Sequence, residues 1–131
     1  MSGRGTGFVE EIASFTSCTR TELSLLSFIG AEMAAPKGTV VVSQNEPGRE
    51  CYVITGGRAV VLCEGEPVGT LGQGEFFSEM SLLTGSVHPA TVIADTDMEL
   101  IVLTPGDFDS LLANAPSVVR KMIRPTRKIA V

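Results

Sequence analysis

Residues 72–94, GQGEFFSEMSLLTGSVHPATVIA, decide how the rest of the chain is read. The stretch opens on glycines, passes a carboxylate at Glu79 into a short apolar turn at residues 80–83, and closes on a β-branched run. That order is the outline of a turn that cradles an anion. The first N–H groups of a helix lack intrahelical partners and lie at the positive end of its dipole, so they point donors at a negative group. Late in the stretch, however, come His88 and Pro89. An imidazole with a reference pKa of about 6.5 is mostly neutral at pH 7. Proline has no backbone N–H to give.

Outward from this stretch the chain reads as helix, then many short strands, then helix. Phe8, Ile12 and Phe15 recur at the spacing of one helical face. Thr19 with Glu22 makes a capping box before LSLLSFI, and Gly30 stops that helix. After Pro36 the character changes. TVVVSQ, CYVIT, RAVVLCE, PVGTLG, ATVIA and MELIVLT are short β-rich runs separated by turn residues, the pattern of a jelly-roll-like barrel or sandwich. Thr104, Pro105 and Asp107 form a helix start, with Thr104 as N-cap and Pro105 in the first helical position. That helix ends near Asn114, and Pro116 opens another that runs toward Pro125. The expected organisation is one domain: helices over about 7–30, a β-roll over about 36–104 and C-terminal helices over about 105–124.

Composition narrows the function classes. With 131 residues and 44% hydrophobic content, the chain holds one domain with a core. No apolar run approaches the roughly 20 residues of a membrane span, and MSGRGTGFVEE has no apolar signal region. The net charge of −5 is uneven: Arg120, Lys121, Arg124, Arg127 and Lys128 put +5 on the last twelve residues and leave −10 on the rest. An acidic body argues against a nucleic-acid surface on the folded part. The basic end reads as a solvated helix terminus, where cations also suit the dipole. Cys18, Cys51 and Cys63 share no CxxC spacing, which fits reduced thiols in a cytoplasmic protein, with a redox switch as the other reading.

The order of these pieces resembles the cyclic nucleotide-binding domain family over about residues 8–118. PKGTVVVSQNEPGRECYVITGGRAVV is similar to that family's first half, with its acidic-Pro-Gly turn and aromatic-Val-Ile strand. Residues 72–112 resemble its phosphate-binding cassette and the Asp-Phe-x-x-Leu-Leu helix. The resemblance implies a mainly β fold with flanking helices: an eight-stranded jelly-roll-like β-roll between N-terminal and C-terminal helices. It implies a cyclic nucleotide as ligand, cAMP ahead of cGMP, or another small anionic ligand, bound weakly and held by Phe77, Ser78, Glu79, Met80, Ser81, His88, Pro89, Ala90 and Thr91. Glu79 falls at the family's acceptor for the ribose 2′-hydroxyl; the alternative is a helix carboxylate that serves only the dipole.

The chain departs from the family pattern at three of these positions. Ser78 stands where the family has glycine, His88 where it has a phosphate-binding arginine, and Pro89 where a backbone N–H reaches the phosphate. Losing a charged hydrogen bond costs about 1.5–3 kcal/mol, or roughly 10- to 100-fold in affinity. Two expectations for His88 stand side by side: a pH-dependent phosphate partner when protonated, or a turn residue of a loop that lost its ligand.

Other classes fit less well. A metal-dependent β-roll enzyme needs several histidines, and this chain has one. A thiol nucleophile at Cys51 or Cys63 has only His88 to serve as base. The expectation is therefore a stand-alone sensor without catalysis, metal or cofactor, and without a DNA-binding segment after the C-terminal helices. In the family's mechanism those helices move, here residues 105–124 with Leu111, Leu112 and Met122 as apolar contacts, and a protein partner or a second copy reads the movement. The alternative is a ligand-free domain used for dimerisation or docking.

Overall fold

The computed structural model describes residues 18–123. The helix face expected at Phe8, Ile12 and Phe15 and the basic Arg124, Arg127 and Lys128 lie outside the described residues. The helix α1 (Arg20–Ile29) starts on the expected capping box. Thr19 Oγ1 accepts from the Glu22 N–H at 3.1 Å, and Glu22 Oε1 accepts from the Thr19 N–H at 2.8 Å. The helix stops at Gly30. A Cβ there would sit 2.6 Å from Ile101 Cγ2 and 2.8 Å from the Val102 carbonyl oxygen, so the glycine lets the chain pass close over a strand.

Eight strands follow: β1 (Ala31–Ala35), β2 (Val40–Val42), β3 (Cys51–Gly56), β4 (Ala59–Cys63), β5 (Glu66–Leu71), β6 (Phe76–Phe77), β7 (Thr91–Ala94) and β8 (Met98–Leu103). They form two four-stranded antiparallel sheets, in the orders β1-β8-β3-β6 and β2-β7-β4-β5. This is the mainly β roll with flanking helices that the sequence pattern and the resemblance imply.

Strands β3 and β8 are covered on both faces. Cys51, Val53, Ile101 and Leu103 pack toward the helices with Leu26, Leu111 and Val118. Ile54, Leu100 and Met98 pack toward the second sheet with Ala59, Val61 and Val92. Burial on two sides removes the polar alternation of a one-sided strand, which is why CYVIT and LIVL read as continuous apolar runs. Strand β1 behaves differently. Its sequence, AEMAA, lacks β-branched and aromatic residues, and it pairs only with β8 at the sheet edge.

Between β6 and β7 lies the short helix α2 (Glu79–Thr84), and after β8 come α3 (Pro105–Asn114) and α4 (Pro116–Ile123). Thr104 caps α3 as expected: its Oγ1 accepts from the Asp107 N–H at 3.3 Å, while Asp107 Oδ2 accepts from the Thr104 N–H at 2.9 Å. One expected contact is corrected. Leu111 is fully buried against the roll, but Leu112 is 52% exposed. Successive helical residues lie about 100° apart, so the α3 stripe that buries Leu111 turns Leu112 to solvent. Ala115, Val118 and Val119 complete the buried face instead; the Met122 side chain lies outside those described.

Candidate functional site

The cassette is the connection from β6 through α2 to β7. Strand β6 pairs with β3 through Phe76↔Val53 and Phe77↔Tyr52, and the Phe77 and Tyr52 rings stack at 5.1 Å. This pairing fixes where the chain leaves the sheet. The next residue, Ser78, takes φ 68° and ψ 26°, the left-handed region that glycine adopts without penalty. A non-glycine residue there costs about 1–2 kcal/mol. Something must hold Ser78 in that conformation.

The structure gives the partner. Ser78 Oγ and Ser81 Oγ each lie 3.2 Å from His88 Nδ1, and all three residues are buried. Ser81 directs its single hydroxyl proton to the Ser86 carbonyl at 2.9 Å, so it meets the ring as an acceptor. The tautomer assigned from this network carries the imidazole proton on Nδ1. Burial pushes the His88 pKa below its ordinary value, and Glu46 pulls the other way without overcoming it. The imidazole at the cassette is neutral at pH 7. Its ring is buried and faces the hydroxyls of Ser78 and Ser81.

The backbone locks this arrangement. His88 N–H donates to the Glu46 carbonyl at 2.9 Å, and Asn45 N–H donates to the His88 carbonyl at 2.8 Å. Pro47 and Val87 form a bridge beside them. The β2–β3 loop is thereby laced to the end of the cassette. Gly48 permits the contact, because a Cβ on it would sit 2.6 Å from His88 Nε2.

The expected ligand set divides. Ser78, Ser81 and His88 come together. Glu79 is the first residue of α2, with one carboxylate oxygen shut off from solvent. Phe77 and Ala90 are buried in the core between the sheets, and Met80 is 55% exposed. Pro89 is exposed, and Thr91 Oγ1 accepts from the Gln44 N–H at 2.9 Å. Sequence reasoning missed the β2–β3 loop. Together with His88, Glu46, Gly48, Arg49, Glu50 and Tyr52 line a pocket of about 250 Å³. A larger pocket of about 400 Å³, at Ala34–Pro36, Gly56–Gly57 and Asp97–Glu99, shares no residue with the cassette.

A second polar junction ties the helices together. Glu22 Oε1 accepts from Lys121 Nζ at 2.7 Å and Oε2 accepts from Ser117 Oγ at 2.8 Å. Burial opposes its charge, but the hydrogen bonds from Lys121, Thr19 and Ser117 outweigh burial and hold the Glu22 pKa down at about 2. The neighbouring Cys18 thiol is pushed up to about 12 by burial and by the Glu22 charge, with Lys121 acting against both. No helix among the described residues is long and apolar enough to cross a membrane.

Fold and cassette together define a β-roll with a ligand loop between its sixth and seventh strands. Residues 32–115 match the profile of the cyclic nucleotide-binding domain family, and the chain belongs to that family. It is 28% identical over 116 residues to a cAMP-dependent protein kinase regulatory subunit of Pyricularia oryzae, covering 87% of this chain and 30% of that protein. It is 37% identical over 91 residues to a cyclic nucleotide-gated potassium channel of Rhizobium etli, covering 70% of this chain and 25% of the channel. The chain thus spans under a third of either relative's length. Among solved structures, the catabolite activator protein of Thermus thermophilus superposes with a TM-score of 0.68 at 27% identity, over 79% of this chain and 51% of that one. A structure from work on a cyclic-GMP-dependent signalling pathway that regulates bacterial phytopathogenesis superposes with a TM-score of 0.74 at 27% identity, over 83% and 90%.

Proposed function

We propose that this chain is a regulatory domain that binds a cyclic nucleotide weakly, cAMP in preference to cGMP, and carries out no catalysis. The observation behind this reading is Ser78. A serine kept at φ 68° preserves the turn that glycine would otherwise supply, so the cassette backbone survives the change of side chain. Glu79 stays at the start of α2, where a ribose hydroxyl is the sensible partner for a carboxylate. The preference for cAMP rests on relatives named as cAMP-dependent regulatory subunits. Weak affinity, about 100 μM or poorer, follows from two lost phosphate partners at 10- to 100-fold each. Three free thiols fit a reducing cytoplasm.

Ligand in the cassette shifts the population of the C-terminal helices relative to the roll, which requires different affinity for the two arrangements. The moving part is α3 and α4, held to α1 through Glu22. A protein partner or a second copy of the chain reads the shift on the helices' outer face, where Leu112 is exposed. The second reading, a ligand-free docking domain, is favoured by the closed cluster of Ser78, Ser81 and His88. Calorimetric titration with cAMP and cGMP decides between the two. Saturable cAMP binding, tighter than cGMP, supports the sensor. Absence of saturation by either nucleotide up to several millimolar rejects it in favour of the docking domain.

A further inference from the structure

A neutral, buried His88 leaves an anion at the cassette without the positive charge that its binding needs. Among the described residues, a permanent cation approaches the cassette from another part of the chain. Arg49 follows Gly48 in the β2–β3 loop, and its Nη1 lies 3.4 Å from the position a Cβ would occupy on Gly85, the residue that ends α2 inside the cassette. Its side chain is exposed and lines the same pocket as His88. Among the described residues Arg49 makes no ion pair within 4.0 Å. The loop that carries it is tied to the cassette by the Glu46–His88 and Asn45–His88 backbone bonds, so the guanidinium is delivered to the cassette by main-chain geometry.

We infer that Arg49 supplies the anion-binding charge of this cassette, from the β2–β3 loop, and that the ligand's phosphate contacts Arg49 where the family pattern uses residue 88. The inference deepens the proposed function and rests on it. Chemically the exchange is sound. A guanidinium stays charged at any physiological pH and offers a planar fork of donors that matches two phosphate oxygens. The surroundings also explain why binding stays weak. Glu46 and Glu50 line the pocket beside Arg49, and Glu50 accepts from the Tyr52 hydroxyl at 3.3 Å. An arriving anion meets one cation and two carboxylates there.

The test is cAMP titration of the full chain and its Arg49 variants at two salt concentrations. Arg49→Ala is expected to weaken cAMP binding at least 10-fold, the range for one charged hydrogen-bond partner. Arg49→Lys should lose less than Arg49→Ala, and Arg49→Glu should abolish saturation. The natural protein should bind more weakly as salt rises, and Arg49→Ala should lose most of that dependence. Thermal unfolding of Arg49→Ala within about 2 °C of the natural protein separates a ligand contact from a structural one, since exposed positions contribute little to stability. If the natural protein binds cAMP and Arg49→Ala binds it equally well, the inference fails while the sensor reading survives. If the natural protein binds neither nucleotide, the sensor reading fails and takes the inference with it.

Discussion

Two polar junctions of this molecule, one half-buried at the helices and one buried at the cassette, are built on opposite principles. At the helical base Glu22 keeps its charge, because Lys121, Ser117 and the Thr19 N–H all donate to it. At the cassette burial holds the His88 imidazole below its ordinary pKa, and the Glu46 charge opposes this without overcoming it. A half-buried charge survives where donors converge on it. A titratable group that burial desolvates without such partners gives up its charge instead. The difference is one of charge: the base joins α1 to α4 through an ion pair, whereas the cassette is closed by a neutral ring among hydroxyls.

The largest expected effect lies at the clamp. Glu22→Ala removes a cap, an ion pair and the link to Ser117 together, and should cost about 2–3 kcal/mol in chemical denaturation. A loss below 0.5 kcal/mol would show that the two junctions do not differ as described. The pH arm sharpens this. Because the folded-state pKa of Glu22 is lowered from about 4.5 to about 2, its contribution is complete above pH 4.5 and is lost as pH falls toward 2. Acid unfolding of Glu22→Gln should therefore lack part of the natural protein's decline in that window.

Next in size is restoration of the cassette. Ser78→Gly, His88→Arg and Pro89→Ala together return the unstrained turn, a charged fork and an amide N–H. They are expected to tighten cAMP binding at least 30-fold, or about 2 kcal/mol by the affinity scale. His88→Arg should give the largest single share. Failure of the triple variant to bind would mean that the pocket has closed beyond the side chains themselves.

Smaller again is Gly48→Ala. Its Cβ would press to 2.6 Å from His88 Nε2, and the crowding should cost about 1–2 kcal/mol. The double variant with His88→Ala should recover most of that loss, because the colliding ring is gone. Simple additivity of the two losses, read from a double-mutant cycle, would contradict the packing described for this pair. The smallest effect is a stability slope. A His88 pKa below its ordinary value stabilises the fold above about pH 6.5 and loses that contribution as pH falls through the folded pKa. His88→Gln should flatten the decline that begins as pH falls below about 6.5.

Much of this was legible in the sequence where causes are local. The caps at Thr19 and Thr104 act within three residues of their partners, and both formed as read. The apolar runs of β3 and β8 announce strands because both of their faces are buried. The order of turn, Glu79 and β-branched strand marked the cassette. What stayed hidden depends on distant contacts. AEMAA carries no strand signal of its own and is recruited at the sheet edge by β8. Leu112 follows Leu111 in the sequence, yet only the packing direction of α3 separates their fates. Ser78 and His88 looked like two independent departures. The fold brings them within 3.2 Å and makes each the partner of the other. Arg49 gave no sign at all, since the cassette lies nearly thirty residues further on.

The pH dependence of cAMP affinity tests the central claim most directly. The groups around the cassette are Arg49, Glu46, Glu50, Glu79 and His88, and of these side-chain types only histidine ordinarily titrates between pH 6 and 8. If His88 is a neutral member of the serine cluster and Arg49 carries the charge, calorimetric affinity should stay within about twofold from pH 8 to pH 6. A tenfold tightening across that interval would show that a protonated His88 binds the phosphate, and would contradict the account.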